Sequence, residues 1–203
     1  MSSLNQNFKE LRERLERGRS LNSFGTEPVF YLVFPPGDIL TVKMQLNAWK
    51  GQLANAGWDV EEFSLGKMLR DYLSGNDSYQ SVRENEPLMR DSLGPSELLE
   101  HQAQLAQSLQ AVVVSGGRPK PELLEPLLAA AQRNNLRPKG LLLITDVEAL
   151  HPLLRINAIE TQLLGKVHQP VVVLYPGVRH GQTSLSFLGI YPPDPNYRSE
   201  HIG

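Results

Sequence analysis

The chain has 203 residues, enough to bury a sizeable core, and its 20 Lys and Arg residues nearly balance 22 Asp and Glu residues. A formal net charge of -2 predicts no general electrostatic attraction to nucleic acid, although a local basic patch stays open. Without any cysteine, disulfides and thiolate metal sites are excluded. No segment approaches the roughly twenty apolar residues of a membrane span, and the start of the chain lacks the apolar core of a signal peptide. We therefore expect a cytoplasmic protein without membrane contact.

Residues 1–20 predict an amphipathic helix ahead of the main part of the domain. Their apolar side chains recur at four- and three-residue steps and form one stripe on a surface rich in Lys, Glu and Arg: Leu4, Phe8, Leu11 and Leu15. Most such stripes cover the core of their own domain, and this is the favoured interpretation. Some are offered to a partner chain instead, so Phe8, Leu11 and Leu15 are candidate partner contacts.

The next segment predicts a strand, a helix and a second strand. Pro28 to Phe34 is an apolar run that ends at two prolines and a glycine. Asp38 can cap the following helix, whose apolar residues recur at helical spacing and which stops at Gly57. Trp58 to Leu65 alternates like a strand. A helix of this length between two strands favours a parallel, right-handed crossover.

The middle of the chain, residues 66–139, predicts helices with less regular spacing. A short helix over Lys67 to Ser74 precedes a polar stretch, Gly75 to Glu86, that is either a loop or a helical excursion. Pro95 and Pro121 suit the first positions of two further helices, and Pro126 marks a kink in the second or its true start. Ala111 to Ser115 ends the first of these two helices or forms a short strand, and the helix is preferred.

Residues 140–189 predict the centre of the fold. Leu141 to Thr145 and Val171 to Tyr175 are short aliphatic runs typical of buried parallel strands, and Pro152 to Gly165 is the helix between them. After a turn at Gly177 to Gln182, Leu185 to Ile190 predicts an antiparallel strand. The tail, residues 192–203, is extended, and its last residues can add an edge strand. The chain therefore predicts one α/β domain over residues 1–203, with a three-layer, mostly parallel sheet, flanking helices and an antiparallel C-terminal strand.

The sequence has the strand and helix order of a nucleotide-binding domain but lacks the motifs that bind phosphate. The strand that ends at Asp146 is similar to the acidic strand of P-loop ATPases, but no G-x-x-x-x-G-K-[ST] sequence is present. The first strand instead ends at Pro35 and Pro36, where phosphate binding would need backbone N–H groups. G-x-S-x-G and H-E-x-x-H are also missing, and no cofactor or metal is predicted. A degenerate, P-loop-like site for a nucleotide or nucleic acid stays open as the alternative function.

Polar and aromatic residues collect at the predicted carboxyl ends of the strands, where open α/β sheets bind ligands. Arg155 lies in the first turn of the predicted helix, where the helix dipole disfavours a cation, so Asp146 or Glu148 is expected beside it. Tyr175-Pro176-Gly177 is most simply a turn. The candidate rim for a ligand or partner comprises Asp146, Arg155, Tyr175, Arg179, His180, Tyr191 and Arg198.

Five sequence segments together resemble the BrxB family of the bacteriophage exclusion (BREX) defence systems. They are FYLVFPPGD at 30–38, LLLITDVEALHPLLR at 141–155, PVVVLYPG at 170–177, GQTSLSFLGIY at 181–191 and NYRSEHI at 196–202. The resemblance is specific over 140–202, moderate over 28–65 and weak between them.

The resemblance implies an accessory protein that works beside a large ATPase, a DNA methyltransferase and an alkaline-phosphatase-like PglZ component. It carries over no catalytic residue. We therefore expect a non-catalytic adaptor that binds the PglZ component, or another defence component, and supports phage restriction and host DNA methylation. Direct DNA contact and the oligomeric state are left open.

Overall fold

The computed structural model describes residues 3–21, 28–181, 184–193 and 199–203. Its strands are β1 (Val29–Phe34), β2 (Asp59–Ser64), β3 (Val114–Ser115), β4 (Arg118–Pro119), β5 (Gly140–Thr145), β6 (Val171–His180), β7 (Ser184–Phe187) and β8 (Glu200–Ile202). Its α-helices are α1 (Ser3–Leu21), α2 (Ile39–Asn55), α3 (Leu65–Ser74), α4 (Asp77–Asp91), α5 (Pro95–Val113), α6 (Pro121–Asn135) and α7 (Ile156–Leu163). Two 3₁₀ turns cover Pro36–Asp38 and Val147–Leu150.

The main sheet has the strand order β2-β5-β6-β1-β8, and all neighbours on this path are parallel. β7 pairs with the far end of β6 in antiparallel orientation. Every residue of β1 and β5 is buried, as are the first seven of β6, which explains their nearly continuous aliphatic sequences. The predicted mixed α/β fold with a mostly parallel sheet is confirmed, and so is the antiparallel strand.

Helices cover both faces of the sheet and form two separate apolar cores. On one face, α1 and α2 pack against alternate strand residues such as Leu32, Leu143 and Val172. On the other face, α3, α6 and α7 pack against their neighbours in sequence, including Tyr31, Leu142 and Val173. The alternation follows from the two-residue period of a strand, and it gives the three layers.

The apolar stripe of α1 is docked on the chain's own sheet. Phe8, Leu11 and Leu15 are all buried in the core on that face. The Phe8 ring stacks on Trp49 of α2 with ring centres 4.5 Å apart. The favoured interpretation of the stripe is therefore confirmed. The partner contact considered for these three residues is wrong in this structure, because the sheet already covers them.

α4 and α5 form a helical hairpin that stands away from the sheet. The polar stretch before Glu86 is part of α4, so its helical alternative is the one observed. α5 extends to Val113, and only Val114 and Ser115 form the short strand β3, which pairs with β4. Ala111 to Ser115 thus contains both predicted states. We call α4, α5 and the residues between them, 77–113, the arm.

One predicted helix start is confirmed and another differs from the structure. α6 begins at Pro121 as predicted and continues through Pro126, so Pro126 does not mark its start. α7 begins at Ile156 rather than Pro152. The reason is that Val147 and Leu150 anchor a 3₁₀ turn in the core, and the chain needs the following residues to reach the start of the helix.

Pro176 and Gly177 lie inside β6, and the predicted turn at this dipeptide is wrong. Gly177 pairs with Phe187 of β7, and a side chain at this position would collide with the Ser186 carbonyl oxygen and the Tyr175 ring. Glycine is therefore required by close packing and not by a turn. β7 ends at Phe187, earlier than predicted, because Leu188 adopts a left-handed conformation with φ of 52°.

None of the helices in the described ranges is long and apolar enough to cross a membrane.

Truncating the α1 stripe should destabilise the whole domain. Leu11 is only 1% exposed, so Leu11→Ala removes buried methyl groups and leaves a cavity between α1 and the sheet. We expect the free energy of unfolding, measured by urea titration, to fall by about 2–4 kcal/mol. Lys9→Ala, on the exposed side of the same helix, is the control and should change it by less than about 0.5 kcal/mol. Equal effects of the two substitutions would contradict the docking of α1.

Candidate functional site

The carboxyl ends of β1 and β5 and the middle of β6 enclose a small acidic cleft. It has a volume of about 190 Å³, and its walls include Phe34 and Thr145, the last residues of β1 and β5, and Leu174 of β6. Lys43 of α2 and three carboxylates also line it: Glu62, Asp146 and Glu148. This is the edge at which a ligand is expected in an open α/β sheet.

Asp146 is the best-connected residue of the acidic cleft. It leaves β5 in a left-handed conformation with φ of 57°. Its carboxylate accepts hydrogen bonds from Ser64 Oγ at 2.5 Å and Thr145 Oγ1 at 3.2 Å. Lys43 Nζ lies 2.8 Å from Asp146 and 2.8 Å from Glu148, so it joins both acids in one ion-pair cluster.

The charges of the acidic cleft are therefore satisfied within the chain. Burial opposes ionisation of Asp146, but hydrogen bonds from Lys43 and Ser64 outweigh it and hold the pKa of this carboxyl below its usual range. Hydrogen bonds to Asp146 and Glu148 raise the pKa of the Lys43 ammonium. Within the described ranges, no group of three or more metal-ligating side chains has the arrangement of a metal site. This cluster stabilises the exit of β5, and its single lysine against two carboxylates leaves a net negative charge that disfavours an anionic ligand.

The turn after β1 does not form a phosphate cradle. It is the 3₁₀ turn at Pro36–Asp38, and the Asp38 N–H already donates to the Pro35 carbonyl oxygen at 2.9 Å. The two prolines have no N–H to donate. The P-loop-like layout is therefore present without the loop that would bind phosphate.

A second and larger cavity lies beside β7, on the opposite face of the sheet from α1. Its volume is about 410 Å³. Its walls come from β6, β7, the end of α5, the β3–β4 hairpin and the segment 151–158, which includes the start of α7. We call it the aromatic cavity, after the ring-bearing residues among those that line it: His151, Tyr175, Phe187 and Tyr191.

Hydrogen bonds and ring contacts hold the wall of the aromatic cavity in place. The Tyr191 hydroxyl lies 2.9 Å from Nδ1 and 2.8 Å from Nε2 of His151. The Arg155 guanidinium stands 5.0 Å from the centre of the Tyr191 ring, within cation–π distance. Tyr175 is fully buried at the base and contacts Phe187 with ring centres 5.6 Å apart.

The structure divides the predicted rim between several places. Arg155, Tyr175 and Tyr191 meet at the aromatic cavity, whereas Asp146 belongs to the acidic cleft. The expected ion pair of Arg155 with Asp146 or Glu148 is wrong, because Lys43 pairs with both acids. Arg155 is also the residue before α7 and not part of its first turn. A site with Arg155 facing the ends of β1 and β5 is therefore not formed.

The remaining rim residues lie farther along the chain. Arg179 donates to the carbonyl oxygens of Gly181 at 2.7 Å and His201 at 3.1 Å, so it ties the end of β6 to β8. His180 is exposed at the end of β6. Arg198 lies outside the described residues.

Sequence reasoning missed three residues that organise the two concave sites. Ser64 had a recognisable signal, since a serine directly before a helix is a preferred cap, and its side chain accepts from the Lys67 N–H. Lys43 sits on a helix face without a pattern that marks it. His151 belongs to no recognisable motif, and its contact with Tyr191, 40 residues away, has no local signal.

The fold and the two sites define a class: an α/β protein with a P-loop-like layout, no phosphate loop and a preformed aromatic cavity. Neither the curated proteins nor the solved structures contain a match to this chain. A family model does match: the model described as BREX protein BrxB covers residues 62–202. Because this range is more than half of the chain, the chain belongs to the BrxB family. It is therefore a component of a BREX phage-defence system.

Removing the Ser64 hydroxyl should weaken both α3 and the acidic cleft. Ser64→Ala deletes the hydrogen bond to Asp146 and the cap on the Lys67 N–H, which lies 3.0 Å away. We expect the free energy of unfolding to fall by about 1–2 kcal/mol in a urea titration. Ser78→Ala, at an exposed position of α4, is the control and should be nearly neutral. A neutral Ser64→Ala would show that neither bond contributes.

His201 should make stability depend on pH. Its burial and the nearby Arg179 cation lower its pKa from 6.5 to about 4. The unfolded chain therefore binds more protons than the folded chain between these two values, and stability falls as pH drops through this window. We expect a loss of about 1–2 kcal/mol from this residue between pH 7 and pH 4, measured by urea unfolding.

His201→Gln cannot titrate and should flatten the pH profile over the same window. The informative quantity is the difference in slope between the two proteins, since other groups contribute equally to both. Parallel profiles for the two proteins would contradict a lowered pKa of His201.

Proposed function

We propose that this protein is a non-catalytic adaptor that holds another component in the BREX complex, with the PglZ-type protein as its first partner. In this role it supports phage restriction and host DNA methylation without carrying out chemistry itself. Membership of the BrxB family supports the defence setting. The choice of partner rests on the resemblance described above.

The observation that carries the proposal is the apolar surface of the arm. α4 buries no residue, although it is 15 residues long. Leu88 and Leu99 are 74% and 75% exposed, and Met89 is 53% exposed. These three residues lie near the turn that joins α4 to α5, at the end of the hairpin opposite to its two connections with the rest of the fold. Large apolar side chains grouped in this way are typical of a protein-binding surface.

The base of the arm packs against the core, whereas the residues at its tip do not. The Tyr72 hydroxyl of α3 donates to the Val112 carbonyl oxygen of α5 at 3.1 Å. Val112 and Val113 are buried in the core, and Tyr79 packs partly against it. A firmly anchored hairpin with an exposed apolar tip can present a rigid helix face to a partner.

The ion pairs of the acidic cleft also favour a binding role over a catalytic one. Lys43 of the acidic cleft pairs with both Asp146 and Glu148, so this set of ionisable groups resembles a structural ion-pair network. Binding through the tip of the arm would leave the sheet and the acidic cleft unchanged. The partner surface expected around Tyr175 is not available, since Tyr175 is fully buried.

Co-purification with the PglZ-type protein tests the proposal. The two proteins are co-expressed and passed through gel filtration at low and at moderate salt. We expect a complex that persists at both, because an apolar interface is little weakened by salt. Leu88→Asp combined with Leu99→Asp should lower the affinity at least about tenfold, since it puts charge into the contact.

Leu136→Asp is the matched control, because Leu136 is a leucine 85% exposed just after α6 and outside the arm. It should leave the complex intact, and circular dichroism should show all variants folded. Failure to form a complex with the PglZ-type protein or any other BREX component would refute the adaptor role. Equal losses for the arm variant and for Leu136→Asp would remove the arm as the binding surface.

A further inference from the structure

We propose that the aromatic cavity binds a small molecule with a planar ring and an anionic group, of the nucleoside monophosphate class. This site is distinct from the acidic cleft, and the arm contributes Gln110, near its base, to the cavity wall. It is also independent of the adaptor role, so either proposal can fail without the other.

The size and walls of the cavity suit a small organic ligand. Its volume of about 410 Å³ lies within the range of roughly 300–1,000 Å³ that is common for small-molecule sites. The base is apolar and rigid, because Tyr175 and Leu185 are almost fully buried. Tyr175 is held in turn by its ring contact with Tyr31, at a centre distance of 5.5 Å. The pocket is therefore formed before any ligand arrives.

Three rings line one wall and favour a planar partner. The ring centres of His151 and Tyr191 lie 5.0 Å apart, and that of Phe187 lies 6.2 Å from His151 and 6.3 Å from Tyr191. Rings grouped at these distances provide an apolar surface on which another flat ring can stack. Stacking on aromatic side chains is a common way for proteins to hold nucleobases.

Charge selects the second part of the ligand. Arg155 lines the cavity, and none of the described lining residues is Asp or Glu. Among the described residues, no carboxylate lies within 4.0 Å of the Arg155 guanidinium. Lys43 in the acidic cleft, in contrast, pairs with two carboxylates. An exposed guanidinium beside a cavity whose described walls carry no carboxylate attracts an anion, and it can hold phosphate oxygens with two parallel hydrogen bonds.

Neutral polar groups complete the site. The amides of Gln110 and Asn157 line the cavity and can each both donate and accept a hydrogen bond. The Tyr191 hydroxyl and the His151 ring nitrogens do the same. Mixed donors and acceptors of this kind match the edge of a base or a ribose. A nucleoside monophosphate unites the ring, the polar edges and the anion that these walls accommodate.

Isothermal titration calorimetry of the full chain with AMP and UMP provides the test. We expect saturable binding of at least one of the two, with one site per chain. Adenosine or uridine alone, and inorganic phosphate alone, should each bind at least about tenfold more weakly, because each occupies half of the site. No saturable binding of either nucleotide at millimolar concentration would overturn the proposal.

Substitutions then locate the binding site. Arg155→Ala should weaken nucleotide binding at least about tenfold and nucleoside binding by much less, and its exposed position protects the fold. Tyr191→Leu should weaken nucleotide and nucleoside binding alike. Arg83→Ala, on the arm, is the matched control and should change neither. If Lys43→Ala abolishes binding while Arg155→Ala does not, the ligand occupies the acidic cleft and the proposal is wrong.

Discussion

Burial of both faces of the three central strands is the constraint on which the rest of the structure depends. β1, β5 and β6 lie side by side with no exposed residue over most of their length, so each must find apolar cover above and below. The stripe of α1 and the inner side of α2 supply it on one face, and α3, α6 and α7 supply it on the other. The same parallel arrangement brings the carboxyl ends of these strands to one edge.

The larger of the two cavities does not lie at that edge, although open α/β sheets usually bind their ligands there. At the strand ends, Lys43 and Ser64 satisfy Asp146, and the prolines after β1 remove the backbone donors that a phosphate would need. The larger cavity forms instead where β6 runs beyond the sheet to pair with β7 and where the chain crosses from the 3₁₀ turn to α7. In this protein, ion pairs and prolines therefore occupy the usual ligand site of the topology, and a larger cavity lies beside it.

Much of the fold could be predicted from the sequence, because its strongest signals are local. Aliphatic runs, proline starts and the stripe led by Leu4 gave the main strands, most helices and the docking of α1. The errors lie where a distant contact overrides a local one. Pro176-Gly177 has the composition of a turn, but packing against Ser186 and Tyr175 keeps it in a strand. Arg155 was paired with Asp146 from chain proximity, whereas Lys43, about 100 residues earlier than Asp146, takes that place.

The arm is inserted in the crossover between β2 and β5, two strands that are neighbours in the sheet. Its first helix leaves beside the end of α3, and its second returns to the same point, where Tyr72 meets Val112. Because the two ends of the arm lie close together, its length does not affect the register of the neighbouring strands. A longer arm also adds little to the entropy cost of closing the connection between β2 and β5. Arms of different length and sequence can therefore be exchanged on an unchanged sheet.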